Sequence, residues 1–287
     1  MPNIVENLPS AQRSTDPRDY QAVPRPMAAM AKAFADRAEI APHSHHRDQL
    51  LFAVRGTMRV RTEAEAWIVP PYRAVYIPGG ITHAMSIRGD LEMRTLYIAR
   101  GTDPGLPALP IVLEVSDLLR SLILALIDEP VLYDQTGRGG AMATLILSEI
   151  TGARRLPLGL TLPQDPRLAR ICAALIADPG TRLTLDAWAD HAGASARTLA
   201  RLFTRETGMS FGAWRRRVRL QSAVEQIVAG ASVDRVAADC GYRSASAFAV
   251  AFRRSVGVAP TTLRRASDGG SAVYGRLGEA TGASQPR

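Results

Sequence analysis

Residues 231–257, ASVDRVAADCGYRSASAFAVAFRRSVG, decide the C-terminal fold because they repeat the pattern of residues 183–208, LTLDAWADHAGASARTLARLFTRETG. When the two stretches are aligned, five pairs of residues coincide: Ala189 with Ala237, Gly193 with Gly241, Leu199 with Phe248, Phe203 with Phe252, and Gly208 with Gly257. The offset grows from 48 to 49 residues after the first glycine pair, so the second copy has one extra residue there. The chain therefore contains an internal repeat.

Each copy has the features of a helix-turn-helix unit. A short helix precedes a glycine at which the chain reverses, and a serine N-cap, Ser195 or Ser244, precedes an amphipathic second helix. The apolar face of the second helix comprises Leu199, Leu202 and Phe203 in the first copy, and Phe248, Ala251 and Phe252 in the second. We predict helix-turn-helix units over about residues 186–205 and 233–256.

The segment between the copies, SFGAWRRRVRLQSAVEQIVAG, predicts a linking helix from about Phe211 to Ala229. Its apolar residues form two nearly opposite faces, one in each half: Phe211, Trp214 and Val218, then Leu220, Ala223, Val224 and Ile227. A helix of roughly 19 residues is about 28 Å long. That length is close to the separation of about 34–36 Å between successive major-groove faces of B-DNA. A rigid chain of this kind could present two recognition helices to adjacent groove segments.

The fixed spacings in this part of the chain are A-x3-G, S-x3-L-x3-F with a closing glycine, RLQSA in the linking helix, and G-Y-x-S-x3-F-x3-F-x4-G-x2-P. Together they resemble the AraC/XylS family of transcription regulators over the last third of the chain. The resemblance implies that double-stranded DNA is a partner and that the function is transcription regulation. A duplicated helical bundle without a DNA role is the alternative.

The residues expected to contact DNA are the first exposed positions of each second helix and those one turn further on. In the first unit they are Ser195, Ala196, Arg197, Thr198, Ala200, Arg201 and Arg205, and in the second Arg243, Ser244, Ala245, Ser246, Ala249, Val250, Arg253 and Arg254. The resemblance places Arg197 and Arg201 at base-reading positions. Because Val250 stands where the first unit has Arg201, the second unit should contact thymine methyl groups or mainly phosphates. We predict that the first unit supplies most of the base specificity.

The length and charge of the chain limit the class of protein to which it can belong. A chain of 287 residues is long enough for two cores. Residues 165–265 contain 16 arginines against eight acidic residues, which accounts for the whole net charge of +8 and favours a polyanion partner, although a solvated charged face is the alternative.

Cys172 and Cys240 lack metal-ligand spacing and are expected to be small buried side chains in a reducing compartment. Without an apolar run of about 18 residues or a signal-peptide core, we expect a cytoplasmic protein with no membrane partner.

Residues 28–100 have the texture of short β-strands. Runs such as LLFAV, TMRVRT, AWIVP, AVYIP and LEMRTLYIA are separated by glycine, proline and charged residues, which predicts a small antiparallel barrel or sandwich. Four of the five histidines lie in this region. His43 and His45 are two residues apart and would point to the same side of a strand, whereas His46 would point to the other side.

The histidines and the later stretch PGGITH, residues 78–83, resemble the two cupin motifs, HxH-x3-E-x6-G and P-x-G-x2-H. Gln49 stands where that family usually has glutamate. The resemblance implies a small β-barrel whose metal or effector residues are His43, His45, Gln49 and His83. His46 is expected to face outward and not to be a ligand.

The sequence is consistent with two kinds of ligand at this site, a metal ion or an organic effector. Three imidazoles and a side-chain oxygen suit a divalent ion of Fe, Ni, Cu, Zn or Mn. A neutral amide oxygen, however, is a poorer partner for a dication than a carboxylate. Regulators that resemble this chain also use the barrel as an effector pocket without a metal. The alternative is therefore that the same polar groups bind an organic effector or one another.

Residues 116–130 and 138–152 are predicted helices with large apolar faces, after one more predicted strand at residues 111–115. We predict dimerisation through this helix pair. The predicted interface residues are Leu118, Leu119, Leu122, Ile123 and Leu126. The alternative is that the pair packs on the barrel of its own chain.

The predicted fold class is α+β with two domains. It consists of a cupin-like β-barrel with two appended helices, followed by an all-α domain of two helix-turn-helix units joined by a linking helix. The predicted boundaries are a mobile N-terminus at 1–20, the barrel domain at 21–152, a linker at 153–164, the DNA-binding domain at 165–266 and a disordered tail at 267–287.

These patterns favour a ligand-responsive transcription regulator that is not an enzyme. It would act as a homodimer on DNA and would contact RNA polymerase if it is an activator. One alternative is a cupin metal-dependent enzyme, such as a dioxygenase, fused to a DNA-binding domain, and Gln49 argues against it. Another is an architectural DNA binder without an effector.

Overall fold

The computed structural model describes residues 14–268, with a strand-rich part followed by a helical part. Nine strands of the described chain form one antiparallel sheet that curls into a barrel, with the order β1-β6-β3-β5-β7-β8, while β2 pairs with β6, β4 with β3, and β9 with β4. They are β1 Met27–Phe34, β2 Glu39–His43, β3 Asp48–Arg61, β4 Glu65–Val69, β5 Arg73–Ile77, β6 His83–Ile98, β7 Ile111–Glu114, β8 Arg155–Leu156 and β9 Gly159–Thr161.

The two central strands are longer than the sequence pattern predicted. The runs LLFAV and TMRVRT belong to the single strand β3, because Gly56 bends the strand without ending it. Gly56 has φ 77°, and the pairing of β3 with β6 shifts register on either side of Arg55. A side chain at Gly56 would collide with the backbone of Asp90. The resulting bend lets one strand contribute to both ends of the barrel.

Side chains alternate between the two faces of this sheet. One face fills the barrel, with Leu51, Met58 and Met85 among its buried residues. The opposite face, which includes Leu50, Phe52 and Leu96, packs against helices α1 (Asp117–Asp128) and α2 (Arg138–Gly152).

This packing corrects the predicted dimer interface. Four of its five residues are buried against the barrel of the same chain: Leu119, Leu122, Ile123 and Leu126. The apolar face that seemed too large for one barrel is covered because the sheet offers a second, equally apolar face. Of the five, only Leu118 stays open to solvent, with 51% of its surface exposed, and Leu145 on α2 is 48% exposed.

The segment predicted as a linker, residues 153–164, is part of the sheet. Strand β8 pairs with β7 and strand β9 pairs with β4. Leu156, Leu158 and Leu160 are buried at every second position. Such a spacing of two is typical of a strand, but Pro157, Gly159 and Pro163 obscured it in the sequence.

The chain ends also differ from the predictions. Within the segment predicted to be mobile, Pro17–Tyr20 forms a short 3-10 helix, and buried Tyr20 stacks on Tyr97 with 5.8 Å between ring centroids. Residues 1–13 lie outside the described chain. At the other end, helix α9 (Pro260–Asp268) extends past the predicted domain boundary. The predicted disordered tail falls outside the described residues from 269 onward.

The helical part confirms the internal repeat. Its helices are α3 Pro166–Ala177, α4 Leu185–Ala192, α5 Ala196–Thr207, α6 Phe211–Val228, α7 Val233–Asp239 and α8 Ala245–Val256, followed by α9. Ser195 and Ser244 cap the second helix of each unit, accepting hydrogen bonds from the backbone N–H of Thr198 and Ala247 at 3.1 and 3.2 Å. Each unit has left-handed glycines after both helices, at Gly193 and Gly208 and at Gly241 and Gly257.

Linking helix α6 has the two predicted apolar faces. Phe211, Trp214 and Val218 pack with α5 of the first unit, whereas Ala223, Val224 and Ile227 pack in the cluster that contains the second unit. The change of face along one helix lets two units pack at opposite ends. The predicted fold class, α+β with a barrel and a double helix-turn-helix, is confirmed. In residues 14–268 no helix has both the length and the apolar character needed to cross a bilayer.

A row of side chains along α6 binds the barrel, beginning with Trp214 at the edge of the first apolar face. Trp214 Nε1 donates to the carbonyl of Thr161 at 2.9 Å, Arg217 Nη1 to that of Gly159 at 3.0 Å, and Gln221 Nε2 to that of Leu158 at 2.9 Å. One turn further on, Glu225 forms a two-pronged ion pair with Arg59 on β3. Spacings of three or four residues place these four side chains on one helix face. The linking helix is therefore also the main bridge between barrel and helical part.

Candidate DNA-binding surface and candidate metal centre

Helix α5 presents its predicted DNA-contacting face to solvent. Arg197, Ala200 and Arg201 are exposed, while Leu199 and Phe203 on the opposite face are buried. The predicted flanking residues are partly engaged within the protein. Thr198 Oγ1 lies 2.9 Å from the cap hydroxyl of Ser195, and Arg205 Nη2 donates to Glu206 at 2.9 Å. Ala196 is half-buried.

Helix α8 exposes a different chemistry. Val250 is 72% exposed, which is unusual for a large apolar side chain. Ser246, Arg253 and Arg254 on α8, and Arg243 and Ser244 before it, are exposed, while Ala245 and Ala249 are half-buried. Helices α5 and α8 are built alike, but their exposed faces differ in polarity.

The arginine-rich start of α6 is largely structural. Arg215 donates to the carbonyl of Leu183 at 3.0 Å, and Arg219 donates to the carbonyls of Pro179 and Thr181, both at 2.9 Å. With Arg217 bound to Gly159, three of the four arginines in this helix donate to backbone carbonyls of neighbouring segments, and Arg216 is the exposed one. Sequence reasoning attributed the charge excess of this region to polyanion binding and missed these carbonyl contacts, because their acceptors are distant in the chain.

Three of the predicted ligand residues converge at one end of the barrel. His43 at the end of β2 faces His83 at the start of β6, with 4.5 Å between ring centroids, and His45 in the next loop lies 4.9 Å from His43. One ring nitrogen of each histidine lies within 4.8 Å of those of the others. Although His45 follows the strand rather than belonging to it, its ring turns to the same side as His43. His46 is exposed.

The protonation of the cluster suits a ligand role. Nδ1 of His43 lies 2.8 Å from the carbonyl oxygen of Ala41, and Nδ1 of His83 lies 3.0 Å from that of Ile81. A carbonyl can only accept, so these Nδ1 atoms carry the proton, and in a neutral ring the Nε2 atom then keeps its lone pair. Nε2 of His83 and of His45 is buried without a hydrogen-bond partner. Burial, with a contribution from the neighbouring imidazoles, lowers the pKa of His45 and of His83 to about 4, so both rings are neutral near pH 7.

Gln49 on β3 lies inside the same end of the barrel. Its Nε2 donates to the hydroxyl of Tyr97 at 3.4 Å, and its Oε1 is buried without a partner. Tyr97 also contacts His45 edge-to-face, with 5.2 Å between ring centroids. Tyr97 was missed by the sequence analysis. Its alternation with Thr95 and Met93 on β6, at every second position facing the barrel core, was the available signal.

The turn that carries His83 is held by a buried acid. Asp48 accepts a hydrogen bond from the backbone N–H of Gly79 at 2.7 Å and another from the Tyr76 hydroxyl at 2.7 Å. The N–H of Gly80 then donates to the carbonyl of His45 at 2.7 Å. A side chain at Gly79 would collide with the carbonyl of His46. The glycines of PGGITH thus bring the two histidine segments together, and Asp48 was a positioning residue that the motif did not reveal.

The fold and these two sites define a double helix-turn-helix protein with a histidine-bearing barrel. Family comparison agrees in both parts. Residues 33–99 match the model of a cupin domain, and residues 188–266 match that of a helix-turn-helix domain.

Among characterised proteins, the chain is similar to the HTH-type transcriptional regulator NimR of Escherichia coli K12, with 30% identity over 76% of this chain and 80% of that protein. It is also similar to the HTH-type transcriptional activator RhaR of Klebsiella pneumoniae, with 24% identity over 84% of this chain and 94% of that protein. Among solved structures, ToxT K231A from Vibrio cholerae covers 83% of this chain and 96% of its own with 11% identity and a TM-score of 0.35. The chain belongs to the AraC family of transcriptional regulators, and the suspected resemblance is confirmed.

Proposed function

We propose that this regulator binds two adjacent major-groove segments with α5 and α8, and that a ligand in the barrel changes its DNA binding. The single observation that carries the proposal is the pair of outward-facing recognition helices fixed at opposite ends of α6. A helix of this length keeps the two units about one helical turn of DNA apart. The exposed arginines of α5 suit guanine edges, and those around α8 suit phosphates.

We also propose that His43, His45 and His83 hold a divalent transition metal, with Oε1 of Gln49 as the fourth ligand. The residues fit the ion because the two orphaned imidazole nitrogens and the orphaned amide oxygen are buried donor atoms without protein partners. A bound ion would tie β2, β3 and β6 together and supply positive charge at that end of the barrel. The alternative occupant is an organic effector that accepts hydrogen bonds from, or donates them to, the same atoms.

A route from this site to DNA runs along β3. The strand carries Gln49 near its start and Arg59 near its end, and Arg59 pairs with Glu225 on α6. A ligand that shifts β3 would therefore act on the helix that sets the distance between the two units. Ligand binding and DNA binding would be coupled because the ligand binds one arrangement of α6 more tightly than another.

Further parts of the proposal concern assembly. We propose a homodimer that uses the exposed leucines of α1 and α2, Leu118 and Leu145, and contact with RNA polymerase if the outcome is activation. We propose no catalytic role, because the cupin position that usually holds glutamate is Gln49. Oxygen uptake by iron-loaded protein with candidate substrates would revive the enzyme alternative.

The DNA proposal is tested by selecting bound duplexes from a random library about four helical turns long, using the full chain at low salt. We expect a two-part site with one half specified more strongly, and an affinity that falls steeply with salt. Arg201→Ala should reduce enrichment at one base pair of the stronger half. Arg88→Ala, which removes an exposed arginine of the barrel, is the matched control and should leave selection unchanged. No enrichment by the unmodified protein would refute DNA recognition.

A further inference from the structure

A large cavity lies where the barrel meets helices α3 and α6. Its volume is about 940 Å³. One wall is formed by β2, β3, β4 and β6, and the other by β9, the loop after it, α3 and α6. Pockets of roughly 300–1,000 Å³ are the usual size for small organic ligands. We call this space the junction cavity.

The junction cavity is separate from the histidine site. Its wall includes Pro42 and Ala84, each one residue away from a histidine of the cluster, but none of the four predicted ligand residues. On a strand, neighbouring residues face opposite sides. His83 therefore lies with the barrel interior, whereas Ala84 faces the junction cavity. Met85 and Trp67 of the barrel cluster also line the junction cavity, so the two candidate sites share part of one wall.

Helix α3 presents an apolar face to the junction cavity. Ala169, Ala173 and Ile176 follow each other at intervals of four and three residues, which puts them on one side of the helix. Another side, with Leu168, Ile171 and Leu175, is buried in the cluster beneath α5. Ala173 is exposed and Ile176 is half-buried. Helix α3 therefore has more apolar surface than the cluster beneath α5 covers.

The charges around the junction cavity favour an uncharged occupant. Its lining contains two arginines and two glutamates: Arg59, Arg61, Glu39 and Glu63. Arg59 is already paired with Glu225. The remaining wall is dominated by apolar side chains, among them Trp67, Met85 and Leu162. Glu39, Arg61 and Glu63 are exposed, so solvent screens their charges and an ion would gain little attraction here, whereas an apolar molecule would gain from leaving water.

We propose that the junction cavity binds a neutral, mainly apolar organic molecule, and that it is a second ligand site distinct from the histidine site. Leu160 and Cys172 line the junction cavity and also belong to the cluster beneath α5. Arg59 and Gln221, which tie the barrel to α6, stand at its edge. A bound molecule would contact both walls at once and fix α3 relative to the barrel.

The test uses N-phenyl-1-naphthylamine, a neutral apolar dye that emits more strongly out of water, titrated into the full chain. We expect saturable binding with one dye per chain. Ala173→Trp fills the space from the exposed face of α3 and should weaken binding by at least about tenfold. Ala229→Trp, at an exposed alanine just after α6 and outside the cavity lining, is the matched control and should bind like the unmodified protein.

Thermal melts of both tryptophan variants should coincide with the melt of the unmodified protein, which shows that neither change has unfolded the chain. Equal dye affinity in Ala173→Trp and in the unmodified protein would overturn the proposal and place the dye in the barrel interior instead. Failure of the unmodified protein to bind the dye saturably would overturn it as well. Neither result depends on DNA binding or on a metal at the histidines, so the proposed function is tested separately.

Discussion

Arg73 on β5 donates a hydrogen bond from Nε to the carbonyl oxygen of Val256, the last residue of α8, at 2.9 Å. The side chain is almost fully buried, and burial lowers the pKa of its guanidinium. Glu114 on β7 lies 3.4 Å from Arg73 Nη2 and also accepts a hydrogen bond from Arg154 at 2.6 Å. A cation from the barrel thus holds the C-terminal end of the second recognition helix, where the helix dipole favours positive charge.

Arg73→Ala should destabilise the protein markedly. It leaves the last carbonyl of α8 without its donor and leaves Glu114 with one cation instead of two. Loss of one partner from a buried ion pair typically costs about 3–5 kcal/mol, and we expect the lower part of that range because Glu114 keeps Arg154. Urea unfolding of the full chain measures it.

Arg154→Ala is the control for that experiment. Its side chain is 53% exposed, so its ion pair should contribute at most about 1 kcal/mol. Equal destabilisation by the two substitutions would contradict the view that Arg73 is the buried anchor of α8.

Arg201→Ala and Val250→Ala should affect base discrimination unequally. Arg201 can form two hydrogen bonds to a guanine, and its loss should reduce discrimination at one base pair by about 1–3 kcal/mol. Val250 has no hydrogen-bonding group, so its truncation should cost little beyond a methyl contact. The measurement is competitive binding to shuffled versions of the selected site, and equal losses would refute the predicted asymmetry between the units.

His83→Ala should weaken binding of Zn²⁺ strongly, because it removes a buried ligand with a free lone pair. Gln49→Glu should strengthen binding, since a carboxylate is the better partner for a dication. Titration calorimetry and metal analysis after dialysis measure both effects. His46→Ala, an exposed neighbour, is the control and should change neither.

If the unmodified chain binds no divalent transition metal, the metal centre is refuted and the organic effector becomes the preferred occupant. If His46→Ala is as damaging as His83→Ala, the proposed ligand set is wrong.

Leu118→Arg combined with Leu145→Arg should dissociate a dimer that uses the exposed leucines of α1 and α2. Charged side chains in an apolar interface remain unpaired and oppose association. Sedimentation velocity of the full chain measures the assembly state. Leu109→Arg is the matched control, because Leu109 is an equally apolar and 73% exposed residue elsewhere on the barrel. An unchanged assembly state in the double variant would remove this surface from consideration.

Local sequence patterns predicted much of the fold and part of the candidate sites. The two faces of α6, the serine caps and the left-handed glycines follow from short-range spacing, because helix geometry fixes which residues share a side. The histidine motif also predicted which rings meet, since its glycines and spacing specify one turn next to one strand end. The roles of the DNA-facing residues and of the metal ligands remain predictions.

The tertiary structure alone decided which partner each apolar or charged side chain meets. The sequence pattern of Leu119 and Ile123 is the same whether they face a second chain or a barrel. In the structure they pack against the sheet of the same chain. The sequence alone did not distinguish Arg217 and Arg219 from DNA-binding arginines. In the structure each donates to a carbonyl far away in the chain. Periodicity reports that a residue is buried, but the contact that buries it depends on chain segments brought together only by folding.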